Sequence, residues 1–234
     1  WSTTPILHKR SKPSTLMKTF NSRQQLLLPT TAQLAAAQLL RQQSKLFDFR
    51  PSLALQDFFE SNKKRLFVRA ANRTGKTLTA CAKVAKFAIS TPNARIRIIS
   101  TDYKQSANVI SRYLNDFLAP WLAKGCYYSA GKGFNGEIVK LKNGAIIQLR
   151  TNEQSVTSFA GDSLHMVYFD EPPRNEQLFT ENVARVYDTQ GVVLVTFTPI
   201  GNQVKWFRDM IEADNGNSWT QWVIPLTYNS CPHF

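Results

Sequence analysis

The sequence predicts an α/β domain whose mostly parallel β-sheet is sandwiched by helices, and three stretches carry that prediction. The first is Leu66 to Ala70, a short apolar strand that runs into the turn Asn72-Arg73-Thr74-Gly75-Lys76-Thr77 and from there into an amphipathic helix. The second is Met166-Val167-Tyr168-Phe169, four large apolar residues in a row that end in Asp170-Glu171. The third is Val192 to Thr198, rich in β-branched residues and stopped by Pro199. Strands covered on both faces read as unbroken apolar runs, and their alternation with helical patterns is the signature of parallel crossover units.

In chain order, residues 1 to about 24 are polar and basic without an apolar period and read as an arm. Thr30 or Thr31 caps a helix to about Leu46, with Leu34, Ala37, Leu39 and Leu40 as a modest apolar face. Ser52 to Ser61 reads as a second helix. After the strand 66–70, Leu78, Cys81, Ala82, Ala85, Ala88 and Ile89 recur near a 3.6-residue period, as expected of a helix lying on a sheet. Arg95 to Ser100 is the next strand. Asp102 to Trp121 is a helix carrying Val109, Ile110, Tyr113, Leu114, Phe117 and Leu118 at helical spacing, aromatics that belong to a core. Lys124 to Gly136 is glycine-rich and loop-like. Glu137 to Leu141 and Ala145 to Arg150 flank Asn143-Gly144, a strong hairpin signal, and extend the edge of the sheet. A polar loop, Thr151 to Ser163, leads to the strand ending in Asp170-Glu171. A helix near Gln177 to Tyr187, the strand to Thr198, a helix near Gln203 to Ala213 and a last strand, Trp219 to Leu226, complete the order.

A glycine-bearing turn that opens a helix aims successive backbone N–H groups at a phosphate chain, and the helix N-terminus adds partial positive charge there. Ala71, Asn72, Arg73, Thr74, Gly75, Lys76 and Thr77 are therefore the candidate ATP-binding loop of a P-loop NTPase of the ASCE/RecA-like kind. Lys76 is the residue to reach the β- and γ-phosphates. Thr77 offers its hydroxyl to Mg2+, which prefers hard oxygen ligands and keeps most of its waters. The pattern is A-x-x-x-x-G-K-T, with Ala70 where the fuller signature has glycine. Ligands of parallel sheets sit at the carboxyl ends of the strands. Asp170, 94 residues after Lys76, is then the partner of Thr77 at the metal, and Glu171 the base that orients and activates the attacking water. Two acids followed by Pro172-Pro173 also read as the start of a helix. The site reading requires Lys76 and the acids to converge across adjacent strand tips. Thr196 and Thr198, at the end of the third strand, suit sensing of the γ-phosphate, although strand propensity alone also places threonine there.

Ala71-Asn72-Arg73-Thr74-Gly75-Lys76-Thr77, Val167-Tyr168-Phe169-Asp170-Glu171-Pro172-Pro173 and Thr196-Phe197-Thr198-Pro199-Ile200-Gly201, in this order, resemble the ATPase motor domain of the terminase large subunit of tailed bacteriophages. The resemblance runs from about Phe49 to the C-terminus. It implies an ATP-hydrolysing motor that translocates double-stranded DNA into a procapsid, with ATP and Mg2+ at the site. It further implies that Arg73 contacts the nucleotide and stabilises developing charge, and that Thr196 and Thr198 couple hydrolysis to movement on DNA. Arg50 to Phe59 resembles the adenine-reading segment of that family, with Gln56 as the candidate reader. The family often carries an arginine followed by glycine about ten residues before the acid pair, acting on a neighbouring subunit's ATP. Here that place reads Phe159-Ala160-Gly161. Arg150 and Arg185 are the substitutes, Arg185 favoured because Glu181-Asn182-Val183-Ala184-Arg185 resembles the family; its other reading is a solvated helix face. The implied partners are the portal protein, the small terminase subunit and further copies of the chain, a homo-oligomeric ring (a pentamer) when working and a monomer in isolation. The implied place of action is the cytoplasm of the infected bacterial host, transiently at the portal vertex. Residues 1–47 form the arm and its helix, 48–228 the motor, and 229–234 the start of a linker to a nuclease domain whose metal-binding acids are absent here.

The net charge is +13. Residues 1–47 hold seven Lys/Arg and no acid, leaving 22 basic against 16 acidic residues, an excess of +6, for the rest. Such a balance favours polyanions through phosphate neutralisation and counterion release, with double-stranded DNA the obvious partner, and equally suits a solubilising arm. The 234 residues suffice for one large α/β domain and are too few for a two-lobed helicase. Two rivals stand beside the motor: a helicase or recombination-type DNA-dependent ATPase, and a DNA-binding assembly protein with a vestigial nucleotide pocket, suggested by Ala70 and Ala160. Cys81, Cys126 and Cys231 and the three histidines show neither disulfide nor zinc spacing. No apolar run approaches the eighteen or so residues of a membrane span.

Overall fold

The computed structural model describes residues 30–159, 161–199 and 204–225. The arm, Ala160, Ile200 to Gln203 and the stretch from Leu226 onward lie outside the described residues, and with them the expectations placed there. Helices α1 (Thr31–Gln43) and α2 (Leu53–Glu60) precede strand β1 (Arg65–Ala70), helix α3 (Lys76–Ser90) and strand β2 (Arg95–Ser100). Then come α4 (Tyr103–Gln105), a π-helical turn (Ser106–Ile110) and α5 (Ser111–Leu118). Strands β3 (Tyr128–Ser129) and β4 (Gly133–Phe134) form a small antiparallel pair. Strands β5 (Ile138–Lys140), β6 (Ile146–Thr151) and β7 (Met166–Asp170) follow, then α6 (Glu176–Ala184), β8 (Val192–Phe197), α7 (Lys205–Asp214) and β9 (Thr220–Ile224).

Seven strands make one sheet in the order β5-β6-β2-β7-β8-β1-β9. Every pairing is parallel except β5 with β6, the expected hairpin at the edge. Side chains alternate across a strand, and the two faces feed two cores. Leu66, Val68 and Ala70 of β1 join Leu55 and Phe58 of α2, Ala80, Cys81 and Val84 of α3, and Leu114 and Phe117 of α5. Phe67 joins Leu178 and Phe179 of α6 and Phe207 and Ile211 of α7 on the other side. Helices on both faces leave every residue of β7 and β8 buried, which is why both stretches are continuously apolar.

The structure departs from the expected order of elements in three places. Strands β1 and β7 are not adjacent: β8 lies between them, so the phosphate loop and the acid pair flank the end of β8 rather than each other. The single helix expected over Asp102 to Trp121 is divided by the π-helical turn and ends in a 3-10 turn, Ala119–Trp121. The stretch 124–136 is not all loop, since β3 and β4 pair within it.

Candidate active site

Strand β1 ends at Ala70, and the backbone then turns through two left-handed residues, Arg73 (φ 64°) and Gly75 (φ 85°), before α3 begins at Lys76. A β-carbon at Gly75 would meet nothing within 4 Å, so glycine serves the backbone geometry there, a conformation that costs residues with a β-carbon more. Thr74 is buried and its hydroxyl donates to Ala71 O at 2.9 Å, closing the loop from within. Lys76 is buried at the first helical position with its Nζ 3.8 Å from Glu171 Oε1. Asn72 and Arg73 are exposed on the outer rim of the loop.

Asp170, at the end of β7, is 2% exposed and receives four side-chain hydrogen bonds. Oδ1 accepts from Thr77 Oγ1 at 2.9 Å, from Tyr168 OH at 2.7 Å and from Thr196 Oγ1 at 3.0 Å; Oδ2 accepts from Gln105 Nε2 at 2.8 Å. The intervening β8 makes this possible, because its register sets Thr196 beside Asp170. Burial and the neighbouring Asp170 charge push the Tyr168 hydroxyl well above its usual range, so it stays a donor.

Glu171 leaves the sheet in a left-handed conformation, φ 75°, which a residue with a β-carbon holds only where its surroundings compel it. Three bonds do so. Its N–H donates to Thr196 O at 3.1 Å, Thr198 N donates to Oε2 at 2.8 Å, and Thr198 Oγ1 donates to Oε1 at 2.5 Å. Burial raises the Glu171 pKa, an effect opposed by the two Thr198 bonds and by Lys76. A carboxylate so raised is closer to the pKa a general base needs at neutral pH. Beside it opens a cleft of about 660 Å³ whose walls include Asn72, Asp102, Glu171, Arg174 and Thr198.

The structure thus brings together Ala71 to Thr77, Asp170, Glu171, Thr196 and Thr198. It does not bring Gln56 to them. Gln56 lines a separate groove of about 700 Å³ with Lys86, Ile89 and Ser90 of the last turns of α3, whereas the phosphate loop is at the first. Ten residues of helix separate Lys86 from Lys76, about 15 Å. Nor is Arg185 among the residues lining the cleft at Glu171. It ends α6, where its guanidinium bonds Glu181 through both Nε and Nη2. Arg150, the other substitute, pairs with Glu137 at 3.7 Å. Gln105 and Tyr168, which bond Asp170, and Arg174, which lines the cleft, are neighbours of this cluster that the motifs do not announce. Tyr168 had a signal, since residues two apart on a strand share a face; the only trace of Gln105 is its place in the helix start opened by Asp102.

The family model described as "Terminase large subunit, T4likevirus-type, N-terminal" matches residues 68–229, more than two thirds of the chain. The chain belongs to this terminase family. Solved terminases share its fold. A large terminase from a thermophilic bacteriophage aligns with 15% identity and a TM-score of 0.61, covering 80% of this chain and 48% of that one. The Thermus phage P74-26 large terminase ATPase domain aligns with 14% identity and a TM-score of 0.62, covering 80% and 86%. The same thermophilic-phage large terminase in complex with ADP aligns with 16% identity and a TM-score of 0.57, covering 79% and 47%. This terminase chain therefore spans about half the length of the thermophilic-phage protein. Comparison with curated proteins finds no match.

Proposed function

We propose that this chain is the ATP-hydrolysing motor part of a terminase large subunit, driving double-stranded DNA into a viral procapsid. The observation that carries the reading is the meeting of Lys76, Thr77, Asp170 and Glu171 at the carboxyl ends of β1 and β7. The chain's family supports it, as do the structures of the thermophilic-phage large terminase in complex with ADP and with ATP-γ-S.

In this reading the loop amides and Lys76 bind the phosphates, and Arg73, on the rim of the loop, stabilises charge developing on the γ-phosphoryl group. Thr77 Oγ1 and Asp170 Oδ1, hard oxygens 2.9 Å apart, fit Mg2+ and would hold it, Asp170 through water. When bound, the ion neutralises charge on the β- and γ-phosphates. Glu171 accepts the proton of the attacking water. Thr198 grips both oxygens of that base and Thr196 bonds Asp170, so the end of β8 feels the state of both acids. That contact is the basis on which Thr196 and Thr198 couple hydrolysis to movement of DNA. The portal protein, the small terminase subunit and a ring of copies, a pentamer, are the partners this function calls for. The work takes place in the cytoplasm of the infected host, at the portal vertex.

The test is ATP turnover with Mg2+ and DNA for the parent and Glu171→Gln. Nucleotide binding should stay near parental in the variant while turnover falls by about two to four orders of magnitude, the worth of a general base. Parental turnover in the variant removes Glu171 from the mechanism. Millimolar or weaker affinity of the parent for Mg2+-ATP would instead favour a vestigial pocket.

A further inference from the structure

The segment after β2 reads Thr101-Asp102-Tyr103-Lys104-Gln105. Asp102 accepts the backbone N–H of Gln105 on Oδ1 at 2.8 Å and so caps the first turn of α4. Strand β2 neighbours β7 on the side opposite β8, so this cap delivers Gln105 to the flank of Asp170 that the threonines do not reach. Its amide donates to Asp170 Oδ2 at 2.8 Å while Thr77, Tyr168 and Thr196 all converge on Oδ1. The carboxylate is thereby pinned from both ends, and its rotation about the Cβ–Cγ bond would break bonds on either side. Directly after Gln105 the helix takes its π-helical turn, Ser106–Ile110. Such turns insert a residue at a cost in regular hydrogen bonding and recur at functional sites. Gln105 bonds Asp170 just before this turn, and beyond it Leu114, Phe117 and Leu118 of α5 face the core.

We propose that Gln105 is a positioning residue, orienting the carboxylate of Asp170 for the metal that accompanies the nucleotide. The proposal rests on the reading of Thr77 and Asp170 as the metal site. A carboxylate already fixed in its plane loses less freedom when it takes up a metal-bound water, so the effect of Gln105 resides in the Mg2+-dependent part of nucleotide affinity.

The full chain is titrated with a fluorescent ATP analogue in Mg2+ and in EDTA, and Mn2+ binding in the presence of ADP is followed by electron paramagnetic resonance. Parent, Gln105→Met and Gln105→Leu are compared, both variants filling similar space without a donor. The expected result is unchanged affinity in EDTA, weaker Mn2+ binding, and a gain in affinity from Mg2+ that falls about tenfold, the effect of one hydrogen bond to a charged group, beside a lower melting midpoint without nucleotide because Asp170 Oδ2 loses its donor. A parental Mg2+ gain in both variants overturns the proposal, as does an equal loss in Mg2+ and in EDTA, which marks a merely structural role. If the parent itself gains nothing from Mg2+ while Mn2+ fails to bind, the metal reading of Thr77 and Asp170 fails first and takes the role of Gln105 with it.

Discussion

Single residues in this chain do two kinds of work, and only one kind is written locally. The meeting of Lys76 with Glu171 and of Thr77 with Asp170 is legible because a turn that opens a helix and a pair of acids at a strand end are local patterns of residue type and spacing. Gln105 and Lys83 are not, because each acts on a partner chosen by packing. Lys83, on the buried side of α3, donates to Phe59 O at 2.9 Å and Ser61 O at 2.6 Å, tying down the end of α2. Burial draws its pKa from the usual 10.5 to about 8, helped by Lys86 and opposed by Glu60. The unfolded chain keeps this proton up to the usual value, whereas the native one releases it near pH 8. Between these limits the unfolded state binds more protons, so the contribution of this residue to stability rises with pH across that window. Lys83→Met, which cannot titrate, lacks the rise. Urea unfolding on either side of the window should show the stability gap between parent and variant moving in the parent's favour as pH increases, and an unchanged gap would refute the shift.

At the scale of elements, periodicity and turn chemistry foretell the crossover units well, since each needs only a local pattern. Strand β1, helix α3 and the β5–β6 hairpin come within a few residues of their expected bounds. The Asn143 side chain shows why the hairpin forms at that edge: Nδ2 donates to Ala88 O and Ile89 O at the end of α3, clasping the turn to the helix. The π-helical turn escapes detection because one inserted residue barely disturbs a 3.6-residue pattern, and β3 and β4 because two-residue strands have no period. Gly191, just before β8, tests how tightly neighbouring strand starts are fitted. A β-carbon there would stand 2.6 Å from His165 O and 2.9 Å from Leu164 O, backbone atoms at the entry to β7 that cannot swing aside. Gly191→Ala should cost about 1–3 kcal/mol, the usual range for overpacking. Chemical denaturation measures it, and a variant as stable as the parent would mean that β7 and β8 can slide apart at little cost.

For the whole molecule, the class of fold follows from three apolar strands and their helices, but the order of strands does not, because it is decided by which long-range pairings bury the most surface. The insertion of β8 between β1 and β7 is the consequence of greatest functional weight, since it supplies Thr196 and Thr198 to two acids that the motifs alone would set beside the phosphate loop. Arg97 holds the other flank of this sheet together. Its side chain is 2% exposed on β2, donating through Nε to Gln148 Oε1 at 2.9 Å on β6, and through Nη1 to Asn182 Oδ1 at 2.7 Å on α6 and to Phe159 O at 3.1 Å. Burial lowers its pKa from 12.5 to about 10, with Arg150 adding to the effect, so it remains charged at neutral pH while three neutral oxygens solvate it. One guanidinium thus joins β6, α6 and the 3-10 turn Val156–Phe159 that precedes the strand of the acid pair. Arg97→Met removes the charge but strands Asn182 Oδ1 and Phe159 O in the interior, at about 1–3 kcal/mol for each buried group left without its partner. Arg97→Lys should not rescue it, because an ammonium on a flexible stem does not reproduce the planar fork that reaches all three oxygens. Urea unfolding should therefore rank parent above both variants by more than about 2 kcal/mol. Amide exchange should accelerate first around Phe159 and at Leu164, whose N–H bonds Arg185 O at the end of α6. Parental stability in Arg97→Lys would show instead that a positive charge suffices there and that the fork geometry is incidental.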